Sequence, residues 1–137
     1  MNRFPANDPR EWLNRARSNL IQAQAVSAGV YLEDLCFQAH QAAEKALKAF
    51  CLFRRLRVPR THNLIELAEL LTLNGVAMTD AMRNVIRLNP YAVGARYPGT
   101  DEPVDVNEHR QAVEIAQRLV EEIAVQMVEH ATDENRR

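Results

Sequence analysis

Apolar positions recur at three- and four-residue spacing along most of the chain, and nowhere do they alternate over the length of a strand. From Val30 to Val58 no Gly or Pro intervenes, and Leu32, Cys36, Ala39, Ala43, Ala46, Leu47, Phe50 and Phe53 share one face. This pattern predicts a long helix over about Tyr31 to Arg57. Alanine in the middle of the stripe lets a neighbouring helix approach more closely than the usual ~8–10 Å between axes. The opposite face carries Phe37, Gln41, Glu44 and Lys48, with His40 and Lys45 beside them. It reads as a polar outer face with one favourable Glu44–Lys48 pair at i, i+4.

The flanking segments repeat the helical pattern. Asp8-Pro9 is a helix start, because the Asp oxygen accepts from free amides while Pro loses nothing at the first helical position. The first helix is expected to run to about Ser27, with Trp12, Leu13, Ala16, Leu20, Ala23 and Val26 inward and Trp12 anchoring one end of the core. Pro59 breaks the second helix and Thr61 is the expected cap of a third, in which Ile65, Leu67, Ala68, Leu70, Leu71 and Leu73 form the apolar set. Asn74-Gly75 closes it. A shorter helix is expected from Thr79 or Asp80 to about Leu88, using Met82, Val85, Ile86 and Leu88. The last, about Asn107 to His130, has Val113, Ala116, Leu119, Val120, Ile123 and Met127 on its inner stripe. Between them, Tyr91 to Val104 is a long Pro- and Gly-containing connection of the kind that usually serves a purpose. The expectation is a single all-α domain over residues 1–137, an antiparallel bundle of four main helices plus a short extra one.

Composition sharpens this picture in few places. At 137 residues the chain is long enough for one core. No apolar run approaches the ~20 residues of a membrane span and Met1 to Pro5 lacks a secretory core, so the cytoplasm is the expected compartment. Cys36 and Cys51 lie on one helix about 22 Å apart at ~1.5 Å per residue, too far to bridge, and are expected to be buried thiols. Residues 1–96 carry 13 Lys or Arg against 8 Asp or Glu, whereas residues 97–137 carry 4 against 10. This split permits a basic pole for phosphate.

Candidate chemistry gathers at that pole. Arg54, Arg55, Arg57 and Arg60 crowd the end of the second helix, partly as a complement to its dipole. Lys45 and Lys48 are the only lysines of the chain, and with His40 and Gln41 they are groups able to hold an anion, while His62, just after the loop, would join Arg57, Arg60 and Arg96 around a phosphate. In the long connection Arg96 and Tyr97 would suit a nucleotide, the guanidinium taking phosphate and the ring stacking on a base. His40 and Glu44 share a helical face, but two ligands without a third make a weak metal site, and no metal or cofactor is expected. There is no Gly-rich phosphate loop and no Ser or Cys nucleophile constellation.

Three motifs in order, His40-Gln41-Ala42-Ala43-Glu44-Lys45-Ala46-Leu47-Lys48-Ala49, then Thr61-His62-Asn63-Leu64, then Ala95-Arg96-Tyr97-Pro98, resemble the HEPN family (higher eukaryotes and prokaryotes nucleotide-binding). The match runs from about Trp12 to Met127. The resemblance implies a homodimeric, non-catalytic helical subunit that binds nucleotide or phosphate beside a minimal nucleotidyltransferase, in some pairs as toxin and antitoxin. His40, Lys45, Lys48, His62, Arg96 and Tyr97 are the residues it would use. A second implication is a metal-independent ribonuclease, since Arg57-x4-His62 fits the Arg-x4-6-His spacing of nuclease members. That motif belongs to a late helix in those members, whereas here it straddles a loop, and Arg110 and Arg118 of the last helix have no His at the same spacing. A third reading is a helical adaptor that docks a protein through Phe37 or Val30-Tyr31.

Overall fold

The computed structural model describes residues 3–92 and 103–136, from 130 onward as backbone only. Among these residues five α-helices follow in order: α1 (Pro9–Ala23), α2 (Leu32–Phe53), α3 (Leu64–Leu73), α4 (Asp80–Asn84) and α5 (Val106–Arg136), with a 3₁₀ segment (Val85–Tyr91) continuing α4. Among the described residues there is no strand. The all-α expectation holds, and α4 with its 3₁₀ continuation is the short extra element.

At the centre lies α2, packed against α1, α5, α3 and the 3₁₀ segment. Ala39, Ala42, Ala43, Ala46 and Ala49 are all fully buried, as are the larger Leu47 and Phe50. Small side chains on several sides let helices close in around it, and Leu47 and Phe50 fill what remains. Contacts between α1 and α2 run in opposite order along the two helices, Asn19 meeting Gln38 and Lys45 while Trp12 meets Lys48. The pair is therefore antiparallel. The α5 helix passes Ala23 of α1 with His109 and shares a groove with Leu13 through Met127, so it too opposes α1.

The helix ends depart from the sequence expectation for local reasons. Helix α1 stops at Ala23, where Gln24 N–H turns back to Ile21 O and Gln22 O, leaving Val26 62% exposed instead of in the stripe. Helix α2 stops at Phe53, four residues before Arg57. Arg55 N–H donates to Leu52 O and Leu56 N–H to Cys51 O, the crossed pair of a Schellman turn, and Arg55 takes the left-handed φ of 61° usually left to Gly. The turn lets Leu56 and Val58 pack on the core while Arg55, Arg57 and Arg60 stay outside.

Asn63, not Thr61, caps α3, its Oδ1 accepting from Ile65 N–H at 3.0 Å, while Thr61 Oγ1 accepts from Asn63 N–H. Asn89 in the 3₁₀ segment accepts from Leu64 N–H and donates to Asn63 Oδ1, so one side chain ties two elements. Helix α3 buries Leu64, Leu67 and Leu71 completely, each worth roughly 1.5–3 kcal/mol. Leu73 and Ile86, expected inward, are exposed at 83% and 50%. The predicted α5 stripe is inward as expected, joined by Ala112 and Ile115, with Val113 half-buried. Cys36 and Cys51 are free and buried.

Candidate functional site

The polar face of α2 is not an outer face. His40, Glu44 and Lys48 are all buried, and Phe37, Gln41 and Lys45 are half-buried. Helix α1 covers one edge of this row and the 56–63 segment covers the other. Periodicity placed these residues opposite the alanine stripe, but a helix enclosed on nearly all sides has no outer face along its middle.

Each buried polar group has a specific partner. Glu44 accepts from Lys48 Nζ at 3.0 Å through Oε2 and from His62 Nδ1 at 2.7 Å through Oε1. Burying a carboxylate is costly, and two charge-assisted donors offset that cost. Lys48 Nζ also sits 5.9 Å above the Trp12 ring, at the outer range of a cation–π contact. Trp12 itself is half-buried against the core and donates from Nε1 to Ala6 O at 2.7 Å, which is the anchoring role expected of it.

One turn before Glu44, His40 Nε2 lies 3.0 Å from His62 O. The carbonyl can only accept, so Nε2 carries the proton and His40 is the neutral tautomer donating from that side. Its Nδ1 is buried without a partner. Burial pushes the His40 pKa down, an effect the nearby Glu44 charge only partly opposes. Residues 40 and 44 of α2 thus hold the main chain and the side chain of residue 62 respectively.

Lys45 donates to Asn19 Oδ1 at 2.7 Å, and Asn19 in turn donates to Gln38 Oε1. Desolvation lowers the Lys45 pKa, with Glu44 opposing and Arg15 and Lys48 assisting. Of the expected anion set, then, His40, Lys45 and Lys48 are brought close together but are engaged inside the fold. His62 is the member that faces out, its side chain 72% exposed. Arg57 and Arg60, in the same segment, are exposed and form no hydrogen bond or ion pair with any described residue. Arg96 and Tyr97 lie outside the described residues.

Two residues carry more of this site than their spacing suggested. Glu44 was legible as half of an i, i+4 pair and as a weak ligand candidate beside His40, yet it joins α2 to His62. Asn19, outside the apolar stripe of α1, is buried as the bridge between Lys45 and Gln38. Among the described residues no three His, Cys, Asp or Glu side chains converge as metal ligands. Both Glu44 oxygens and His40 Nε2 are already engaged. No helix among the described residues is long and apolar enough to cross a membrane. A separate groove of about 780 Å³ lies between the N-terminal segment, α1, the end of α2 and α5, with Leu13, Phe53, Met127 and Val128 along it and Arg10 and Arg17 on its walls.

Comparison with known proteins agrees with this architecture. No curated protein sequence matches the chain. Among solved structures it is similar to TT1696 from Thermus thermophilus, at 30% identity and a TM-score of 0.71 over 86% of this chain and 97% of that one. It is also similar in fold to ST0689, an archaeal HEPN homologue, at 23% identity and a TM-score of 0.67 over 93% of this chain and 99% of that one. The HEPN domain model matches residues 9–128. With its all-helical bundle and this match over most of its length, the chain belongs to the HEPN domain family.

Proposed function

We propose that this chain is a non-catalytic nucleotide- or phosphate-binding subunit, homodimeric, that works beside a minimal nucleotidyltransferase, as in toxin–antitoxin type pairs. The observation that carries the binding reading is His62: an exposed imidazole fixed by a buried carboxylate, preceded in sequence by the exposed guanidiniums of Arg57 and Arg60. In the three-residue set of Lys48, Glu44 and His62 the ammonium cancels the carboxylate. A protonated His62 then presents a net positive charge outward. Arg96 and Tyr97 would complete the site with a phosphate fork and a stacking ring.

The test is calorimetric titration of the purified protein with ATP. Arg96→Ala is expected to weaken binding by ~1–3 kcal/mol, the range for a charge-assisted hydrogen bond, while leaving thermal unfolding unchanged. His62→Ala is expected to weaken it similarly. Absence of any ATP binding by the wild type would remove this reading.

A ribonuclease reading has one observation in its favour. A carboxylate on Nδ1 of a histidine whose other edge faces solvent is the arrangement of a general base, with Arg57 available for phosphoryl charge. Incubation with structured and unstructured RNA decides between the two: cleavage that disappears in His62→Ala would make the chain a nuclease, and intact RNA leaves the binding role.

A further inference from the structure

Building on the reading of His62 as a ligand-contacting group, we infer that Glu44 is its positioning residue: it fixes the proton on Nδ1 and turns Nε2 to solvent as the atom offered to a phosphate-bearing ligand. A free neutral imidazole favours the opposite tautomer, with the proton on Nε2, and rotates about two side-chain bonds. Neither freedom remains at residue 62. Glu44 Oε1 lies 2.7 Å from Nδ1 and, being ionised through its partnership with Lys48, can only accept. The His62 carbonyl is meanwhile held by His40 Nε2 at 3.0 Å. Both holding groups come from successive turns of the most enclosed helix, so they cannot follow the loop if it moves.

The neutral form of His62 therefore shows a lone pair to solvent at Nε2, and the protonated form shows an N–H donor at the same atom. A phosphate oxygen approaching from outside meets that donor with no ring flip required. Lys48 is part of the device, because it occupies the second Glu44 oxygen and leaves Oε1 for His62.

This geometry makes an unusual demand on substitution. In Glu44→Gln the amide has one oxygen, and Lys48, which can only donate, claims it. The amide NH₂ is then directed at His62 Nδ1, which must accept, and the proton moves to Nε2.

The experiment is long-range ¹H–¹⁵N correlation of the histidine rings in the full chain at about pH 8.5, well above the ordinary histidine pKa of ~6.5. His62 is assigned by its loss in His62→Ala, and ATP affinity is measured in parallel. The expected result is Nδ1–H in the wild type, Nε2–H in Glu44→Gln, and ATP binding about tenfold weaker in Glu44→Gln, because the variant amide leaves the Nδ1–H of the protonated, phosphate-binding ring without its acceptor. Nε2–H in the wild type overturns the inference without any variant having to fold. An unchanged tautomer in folded Glu44→Gln overturns it as well, and so does a reversed tautomer with unchanged ATP affinity. A tautomer that follows Glu44 in a protein that does not bind ATP upholds the positioning and removes the nucleotide-binding reading instead.

Discussion

Asn63 and Asn89 exchange roles across 26 residues of sequence: Asn89 donates to the Asn63 side chain at 3.1 Å while accepting from the backbone of Leu64, the first residue of α3. The cap of α3 is thus itself held by the 3₁₀ segment, and the loop bearing His62 ends at a fixed point. Asn89→Ala removes both bonds and leaves the Leu64 amide half-buried without its acceptor. The expected loss is about 1–2 kcal/mol, read as a lower urea midpoint at unchanged slope.

Arg55 occupies the left-handed position of the turn that ends α2, at φ 61°. Because a side chain is strained there and Gly is not, Arg55→Gly is expected to raise stability by about 0.5–1 kcal/mol, even though it removes a surface cation. Gly75, at φ 92°, is the mirror test. A Cβ there would meet only the flexible Arg54 guanidinium at 3.9 Å, so Gly75→Ala should cost about 1 kcal/mol from backbone strain alone. Differential scanning calorimetry of the two variants should move the transition in opposite directions.

The depressed pKa of His40 sets the direction of pH dependence in weak acid. The unfolded chain takes a proton at His40 near pH ~6.5, whereas the folded chain resists it until lower pH, so the unfolded state binds more protons in that window. Stability contributed by the neutral ring is full above ~6.5 and is lost as pH falls towards the lower folded pKa. Denaturant midpoints between about pH 5 and 7.5 should therefore decline on acidification. In His40→Gln, which keeps a donor for the His62 carbonyl, that slope should flatten. Asp8 and Glu11, whose pKa values are lowered by Arg10 and by the Phe4 amide respectively, act only in more acid solution.

What the sequence disclosed and what it concealed divide along a physical line. The five helices and the inward stripe of α5 were legible because period and breakers are local properties. The ends of α1 and α2 were not, since Val26 and Arg57 fit the helical pattern and only the demand that Leu56 and Val58 reach the core turns the chain earlier. On the polar row of α2 the pattern was misleading in orientation. His40, Glu44 and Lys48 look like solvated residues until partners 22, 18 and 36 positions away are known, and such partners leave no periodic trace.

Both thiols should be silent in the native state. Cys36 and Cys51 are fully buried, and desolvation pushes the Cys51 pKa up to about 11, so almost no thiolate is present at neutral pH. Labelling with a thiol-reactive disulfide reagent should be negligible in buffer and should reach both sulfurs in denaturant. Fast labelling of the folded protein would contradict the enclosure of α2.

Trp12 is the only tryptophan of the chain, and the ammonium that neutralises Glu44 rests above its ring. The emission of that indole depends on where the nearby charge sits. A charged ligand taken up at His62 Nε2, with Glu44 and Lys48 still in place, adds its own field to the one over Trp12. Titration with a ligand of that loop is therefore expected to shift Trp12 emission, so that occupation of an exposed segment is read, without a dye, at a half-buried ring on a different helix.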